Sequence, residues 1–356
     1  MKKLIYFLTF LFLFSACAEI KEQKKPKPKN IILMIGDGMG LTQVYAAYTV
    51  KKDKTNMARC KHIGLVTTSS KDNLITDSAA AGTALATGNK TNNGLLGVDK
   101  DGNKFPTILE IAEEHKKATG LVVTCAITHA TPAAFIAHNI SRGNYEGIAK
   151  DFLKTDIDVF FGGGKDHFMK RADSLNLIDS LIARDYNIVY DVNEISSIKN
   201  GKTVGLFYDF HPPKYSEGRG DFLEKASLKA IEILDQDEDG FFMMIEGSQI
   251  DWAGHDNDLQ YLLDETLEFD DVVGKVLDFA EKDGETLVII TADHECGGFT
   301  IVDGDLEKGT IKGHFSTGHH TPVMVPLFAY GPGSENFCGV YDNTDVYKKM
   351  KNAFGF

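Results

Sequence analysis

Apolar residues cluster along this chain in short unbroken runs. Ile31-Ile32-Leu33-Met34-Ile35, Phe241-Phe242-Met243-Met244-Ile245 and Leu287-Val288-Ile289-Ile290 are the clearest. Short runs without polar alternation predict strands buried on both faces of a parallel sheet. Further strands are expected over 64–68, 119–125, 159–161, 204–207 and 325–330, beside those over 30–35, 241–245 and 286–291. Helical spacing predicts helices over 78–87, 106–115, 221–234, 259–281 and 344–353. In 259–281, Leu262, Leu263, Leu267, Val272 and Leu277 recur at helical pitch with acids between, the pattern of an amphipathic helix on a sheet face. Strands alternating with helices predict an α/β fold: a doubly wound, mostly parallel sheet with helices on both faces. No linker divides 30–356, so a single domain is expected.

Each of the three runs ends in acid: Gly36-Asp37, Glu246, and Thr291-Ala292-Asp293-His294. Open α/β sheets bind ligands beyond the carboxyl ends of their strands. Four ligand-type side chains are therefore expected along one edge, which predicts a metal site. Helix N-caps explain one such acid readily, but not three together with nearby histidines.

A chain of 356 residues forms one large α/β domain or two smaller ones. A formal charge of −13 argues against nonspecific nucleic-acid binding. It does not exclude anionic substrates, because bound metals invert the local field. At the N-terminus, Lys2 and Lys3 precede an apolar stretch over 4–14 that is too short to span a bilayer. Residues 1–16 read as a signal peptide. Ser15-Ala16-Cys17 resembles a bacterial lipoprotein processing site, with a lipid on Cys17 anchoring the protein to a membrane; plain secretion after Ala16 is the alternative. Residues 17–29 form a Lys- and Pro-rich tether. The expected location is the periplasm or cell envelope. Cys60, Cys125, Cys296 and Cys338 remain, with no CxxC pair, and their pairing stays open. Cys296 reads as a small packed or bridged residue.

Asp251 and His255, four apart, share one face of a helical turn and are spaced to hold one ion. Asp293 and His294 reach one metal only from a loop. His319 or His320 offers a third imidazole, and chemistry alone does not separate the two. Carboxylate and imidazole together suit zinc, whereas all-oxygen sites suit magnesium. Asp77-Ser78 opens an Ala-rich helical run, where a hydroxyl meets the positive end of the dipole. An ordinary N-cap explains that pair equally. Thr131-Pro132 reads as a cap followed by proline at the first helical position, with Arg142 about three turns on. An arginine fork grips two phosphate oxygens; a surface arginine is the commoner reading of that spacing alone. His138 reads as a packed or solvated histidine.

Six segments in order, IGDGMG at 35–40, TDSAAAGTALATG at 76–88, THATPAAFIAHNISR at 128–142, EGSQIDWAGH at 246–255, TADHE at 291–295 and HHT at 319–321, closely resemble the alkaline phosphatase family. The resemblance implies a phosphomonoesterase with two Zn2+ ions and one Mg2+ ion. By motif match, Asp251, His255 and His320 would hold the first zinc. Asp37, Asp293, His294 and the Ser78 alkoxide would hold the second. Asp37, Thr131 and Glu246 would hold magnesium. Arg142, oriented by Asp77, would clamp phosphate while Ser78 attacks phosphorus, giving a phosphoserine that water hydrolyses. Two metals roughly 4 Å apart suit such an in-line displacement. His129 and Trp252, beside the substrate, stand where a well-known bacterial form has Asp and Lys. His129 thereby opens the third metal's identity, and Trp252 removes a cation near the phosphate. Only 26 positions separate His294 from His320 (320 − 294), so the extra subdomain of larger members is expected to be absent. Homodimers are common in the family. A phosphodiesterase or sulfatase is the alternative within the superfamily. No sulfatase motif is found, and Asp77-Ser78 with Arg142 favours monoesters. A non-catalytic metal- or phosphate-binding protein is the alternative outside it.

Overall fold

The computed structural model describes residues 27–52 and 54–356. The expected signal peptide, Cys17 and most of the tether lie outside the described residues. The strands in chain order are β1 (Asn30–Gly36), β2 (His62–Thr67), β3 (Ala118–Ala126), β4 (Val159–Gly163), β5 (Asn187–Val189), β6 (Thr203–Tyr208), β7 (Phe241–Gly247), β8 (Thr286–Thr291), β9 (Glu295–Cys296), β10 (Phe299–Asp305), β11 (Thr310–Phe315), β12 (His320–Thr321), β13 (Val325–Tyr330) and β14 (Gly339–Asp342). The helices are α1 (Leu41–Val50), α2 (Ser78–Thr87), α3 (Ile108–Glu114), α4 (Ala130–Ile136), α5 (Tyr145–Asp151), α6 (Lys165–Met169), α7 (Leu177–Ile182), α8 (Phe222–Leu234), α9 (Gln249–Asp256), α10 (Leu259–Asp283) and α11 (Asn343–Phe354).

Ten strands form one sheet in the order β14-β2-β13-β8-β1-β7-β3-β4-β6-β5. All pairings are parallel except those of β13, which runs antiparallel to β8 and β2. Every residue of β1, β3, β4, β7 and β8 is buried, so both faces of the central sheet are covered. Phe135 of α4 stacks on Phe242 of β7 at 6.2 Å. Leu234 of α8 lies where a Cβ on Gly120 of β3 would come within 2.8 Å, so that glycine admits the helix.

The eight strands and five helices expected from the sequence are all present, their ends shifted by at most two residues. Six strands were not expected, and β5 and β14 among them are three- and four-residue strands at the two edges of the sheet. β10 and β11 form a separate hairpin with mostly exposed or half-buried residues, and β9 pairs with β12 over two residues each. None has a continuous apolar run. The short stretch between His294 and His320 holds only this hairpin and β9, with no inserted subdomain.

The reading of Thr131-Pro132 needs correction. The helix starts at Ala130 with His129 as its N-cap, so Pro132 occupies the third helical position. Proline is tolerated there because the first N–H groups of a helix lack intrahelical acceptors. That helix ends at Ile136, so Arg142 lies beyond it in a loop, not three turns along it.

Three of the acids on α10, Glu265, Glu268 and Asp270, are buried despite the amphipathic pattern. Asp270 accepts from Lys51 Nζ at 2.7 Å and from the backbone of Asn56 and Met57 at 2.9 Å. Glu265 and Glu268 both pair with the buried Arg219 guanidinium. Arg219 also donates to Pro213 O at 3.0 Å, and Tyr215 N donates to Glu265 at 2.9 Å. These contacts tie the segment over 209–221 to α10.

Burial pushes the Glu268 carboxyl up from 4.5 to about 7, against the opposing pull of Arg219. A carboxyl with a raised folded-state pKa binds more protons folded than unfolded. Its stabilising share is complete below about pH 4.5 and is lost as pH rises through about 7. In urea titrations of metal-saturated protein, Glu268→Gln is therefore expected to lose less stability than wild type between pH 5 and pH 8; a steeper loss in the variant would contradict this.

Candidate active site and metal centre

Strand register brings the acids together. Ile35 lies opposite Glu246 on one side and Thr291 on the other, and Val123 lies opposite Glu246. The chain therefore leaves β8, β1, β7 and β3 at one level of the sheet. Asp37, Glu246, Asp293 and His294 emerge there, all buried.

Asp37, Asp293 and His294 form one group, with ligand atoms within 4.8 Å of one another. His294 Nε2 is 3.1 Å from Asp293 Oδ2 and 3.5 Å from Asp37 Oδ1. Asp293 Oδ1 accepts from Gly38 N at 3.1 Å and His294 N at 2.9 Å, which turns its other oxygen inward. Gly38 has φ +74°, and a Cβ there would sit 2.6 Å from Asp251 Cα, so only glycine lets these segments meet.

Asp251, His255 and His320 form the second group, which also contains Cys296. Asp251 and His255 lie one turn apart on α9, as their spacing predicts. His255 Nδ1 bonds Gly318 O at 2.8 Å, and His320 Nδ1 bonds Thr76 O at 2.8 Å. Backbone carbonyls thereby hold both Nδ1 atoms and turn both Nε2 atoms inward, the usual support for histidine ligands. The two Nε2 atoms are 3.1 Å apart, and Asp251 lies 3.3–3.4 Å from them. His320 is thus separated from His319, which is exposed. The His320 ring stacks on His294 at 3.6 Å and joins the two groups.

On the other side of Asp37, Thr131 Oγ1 donates to Asp37 Oδ2 at 3.4 Å. Glu246 Oε2 accepts from Ser248 Oγ at 2.7 Å and from Cys125 Sγ at 3.4 Å. His129, the N-cap of α4, packs edge-on against Trp252 at 6.1 Å and His211 at 5.8 Å.

Ser78 is the first residue of α2, and its Oγ lies 3.3 Å from His294 Nε2. Asp77 is the N-cap, accepting from Ala80 N at 2.9 Å through Oδ1. Its Oδ2 accepts from Arg142 Nη1 at 2.9 Å and from Gly94 N at 3.0 Å. Arg142 N donates to Gly94 O at 2.8 Å, so backbone and side chain together fix this loop arginine beside the helix start. His138 is packed as expected, bonding Gly97 O and Glu110 at 2.8 Å each.

Four buried carboxylate oxygens, on Asp37, Glu246, Asp251 and Asp293, have no hydrogen-bond donor. Burial, then repulsion by Asp293, Asp251 and Glu246, pushes the Asp37 carboxyl well above its ordinary range. Burial raises Glu246 to about 7. Burial opposes ionisation of Asp251 too, but His255 and His320 outweigh it and hold that carboxyl well below its ordinary range. Asp251 in turn lifts His255 to about 9. Divalent cations would offset this repulsion as protons do, so donor type, burial and the oxygens without hydrogen bonds all fit metal binding. His129 differs: burial, then Arg142 and His211, lowers it to about 3. It is neutral at working pH, and its buried Nδ1 lacks a partner.

Two contributors, His211 and Glu295, were assigned no role from the sequence. His211 sits 4.8 Å from Trp252, and nothing local marks it. Glu295 accepts from Gln43 Nε2 at 2.8 Å, from Phe299 N at 3.0 Å and from Thr321 Oγ1, locking α1 to the segments that carry His294 and His320. Cys296, expected to be packed or bridged, is packed: it is a free, buried thiol whose sulfur lies in the second group, and the other described cysteines are also free.

Residues 28–312 match the family model for alkaline phosphatase. The chain is 36% identical to alkaline phosphatase 3 of Bacillus subtilis (strain 168), over 96% of this chain and 92% of that protein. Among solved structures, alkaline phosphatase from the Antarctic bacterium TAB5 superposes with a TM-score of 0.90 at 42% identity, covering 94% of this chain and 99% of that one. A variant of the TAB5 enzyme with aspartate in place of a histidine, and with magnesium bound in its M3 site, gives a TM-score of 0.89 at 42% identity over the same shares.

Because cations offset repulsion among buried carboxylates, their removal is expected to destabilise the fold. Chelator treatment should lower the melting temperature by roughly 5 °C or more, with recovery on adding zinc. An unchanged melting curve would contradict this reading of the cluster.

Proposed function

The chain belongs to the alkaline phosphatase family, and on that premise we propose that it hydrolyses phosphate monoesters through a phosphoserine on Ser78. The observation that carries this reading is the position of Ser78 Oγ, at a helix N-terminus and 3.3 Å from His294 Nε2. Asp77 holds Arg142 beside it.

Asp251, His255 and His320 would hold one zinc ion, and Asp37, Asp293 and His294 a second. Asp37, Thr131 and Glu246 would hold magnesium. Bound there, these ions would supply Lewis acidity to the attacking and leaving oxygens of an in-line displacement. His129 adds a neutral imidazole near this third position, so zinc is the competing occupant. The TAB5 variant supports a link between a histidine-to-aspartate change and magnesium at a third site in this family.

The protein's own groups do the rest. Arg142 grips two non-bridging phosphoryl oxygens, and Asp77 keeps its fork aimed by accepting from Nη1. The N-terminus of α2 presents its dipole to the incoming phosphate. Ser78 Oγ releases its proton to solvent and attacks phosphorus as the bond to the alcohol oxygen breaks; the departing alkoxide takes a proton back from water, giving phosphoserine and the free alcohol. Water then attacks the same phosphorus from the side the alcohol left, restoring Ser78 and releasing inorganic phosphate. Every named contact falls on the phosphoryl side, so broad acceptance of alcohols follows. Trp252 and His211 pack edge-on against each other at 4.8 Å and both against His129, an aromatic group beside the phosphoryl site that carries no fixed cation. The reading extends to export: Lys2, Lys3 and the apolar stretch over 4–14 would direct the enzyme out of the cytoplasm, with Cys17 as its lipid anchor.

Ser78→Ala is expected to lower kcat for an aryl phosphate by about 10³-fold or more, with metal content and circular dichroism retained. Full activity in that variant would reject Ser78 as nucleophile. Arg142→Ala should lower kcat/KM by about 10–100-fold, the value of one or two charge-assisted hydrogen bonds. A loss confined to bulky alcohols would instead place Arg142 on the leaving-group side.

A further inference from the structure

Cys296 has no role in the mechanism above, yet its surroundings single it out. It is the cross-strand partner of His320 in the β9–β12 pair, and directly opposed residues present their side chains on the same face. Its Sγ and the ligand atoms of Asp251, His255 and His320 all lie within 4.8 Å of one another. Its backbone is pinned from both sides. Cys296 N donates to Gly38 O at 3.1 Å, and Gln43 Nε2 donates to Cys296 O at 3.0 Å. Two glycines close over it: a Cβ at Gly254 would lie 2.8 Å from Cys296 Cβ, and one at Gly38 would lie 3.0 Å away. The backbone and Cβ of Cys296 are therefore held tightly against the cluster. Asp251, whose side chain is 6% exposed, turns Oδ1 into the same space, where it faces His320 Nε2 at 3.3 Å but makes no hydrogen bond.

We propose that Cys296 is a fourth ligand of the cation held by Asp251, His255 and His320. That centre is then an oxygen, nitrogen and sulfur site that selects thiophilic divalent metals such as zinc, cobalt or cadmium over magnesium. The donor set fits: zinc accepts carboxylate, imidazole and thiolate together and can expand to a fifth ligand, which leaves room for a substrate oxygen, while magnesium demands oxygen. On binding, the Sγ–metal bond replaces the Sγ–H bond and the proton leaves to solvent. This inference rests on the metal reading of the previous subsection and adds to it one ligand and a selectivity.

The test uses cobalt as the probe. The protein is stripped, loaded with Co2+ alone, and its bound metal counted before its absorption spectrum is recorded. Wild type is expected to show an intense sulfur-to-cobalt charge-transfer band in the near ultraviolet. Cys296→Ser, close in size, should lose that band while circular dichroism shows it folded. Cys125→Ser controls for the other thiol near the cluster, which lies 3.4 Å from Glu246, and should keep the band. Wild type with two or more Co2+ bound and no such band would overturn the proposal while leaving the metal reading intact. Failure to bind Co2+ at all would overturn both. A band lost in Cys125→Ser and kept in Cys296→Ser would also overturn it.

Discussion

Charge burial at the carboxyl edge of the sheet is the constraint on which the rest of this structure depends. Asp37, Glu246, Asp251 and Asp293 are all nearly inaccessible, and each keeps an oxygen without a hydrogen bond. Isolated buried carboxylates are strongly disfavoured. Four in one place persist only if protons or cations neutralise them, and the chain supplies few protons there. His255 and His294 are the main candidates, and both face the carboxylates through Nε2, the atom a metal would take. The cluster is arranged as a ligand set, and on the proposed reading the repulsion among its carboxylates would be the physical basis of an affinity for cations.

Around this centre the scaffold divides the work. Parallel strands with every residue buried hold the chain exits at one level. Backbone carbonyls of Thr76 and Gly318 aim two imidazoles, and backbone amides of Gly38 and His294 aim one carboxylate. Asp77 joins three tasks in one side chain: it caps α2, anchors Gly94 and clamps Arg142. Ser78, Arg142 and the turn between them are therefore fixed by one carboxylate. The buried Arg219 cluster plays a comparable part at the rim, fastening the segment that carries His211 to α10.

Much of this was legible in the residues alone, for identifiable reasons. Continuous apolar runs betray buried parallel strands, and an acid at the end of such a run marks the functional edge. That logic located Asp37, Glu246, Asp293 and His294. The Asp251/His255 spacing named its own helix turn. Elements without an apolar run were not legible: β10 and β11 stand outside the sheet, and β9 and β12 are two residues long. The helix around Thr131 was misplaced because proline is allowed anywhere in a first turn, so its position does not define the start. Cys296 and Glu295 were illegible for another reason. Their partners, His320 and Gln43, lie 24 and 252 positions away, and only tertiary structure brings them into contact. The choice of His320 over His319 likewise depended on which ring found a carbonyl to orient it.

The central claim is that these carboxylates and imidazoles gather cations beside Ser78. Anomalous X-ray scattering from crystals of the zinc-loaded protein, measured across the zinc absorption edge, tests it most directly. The account predicts one strong peak enclosed by Asp37, Asp293 and His294 next to Ser78 Oγ, and a second enclosed by Asp251, His255 and His320. Zinc peaks found only on surface histidines, with the buried carboxylates bound to nothing but water, would contradict it.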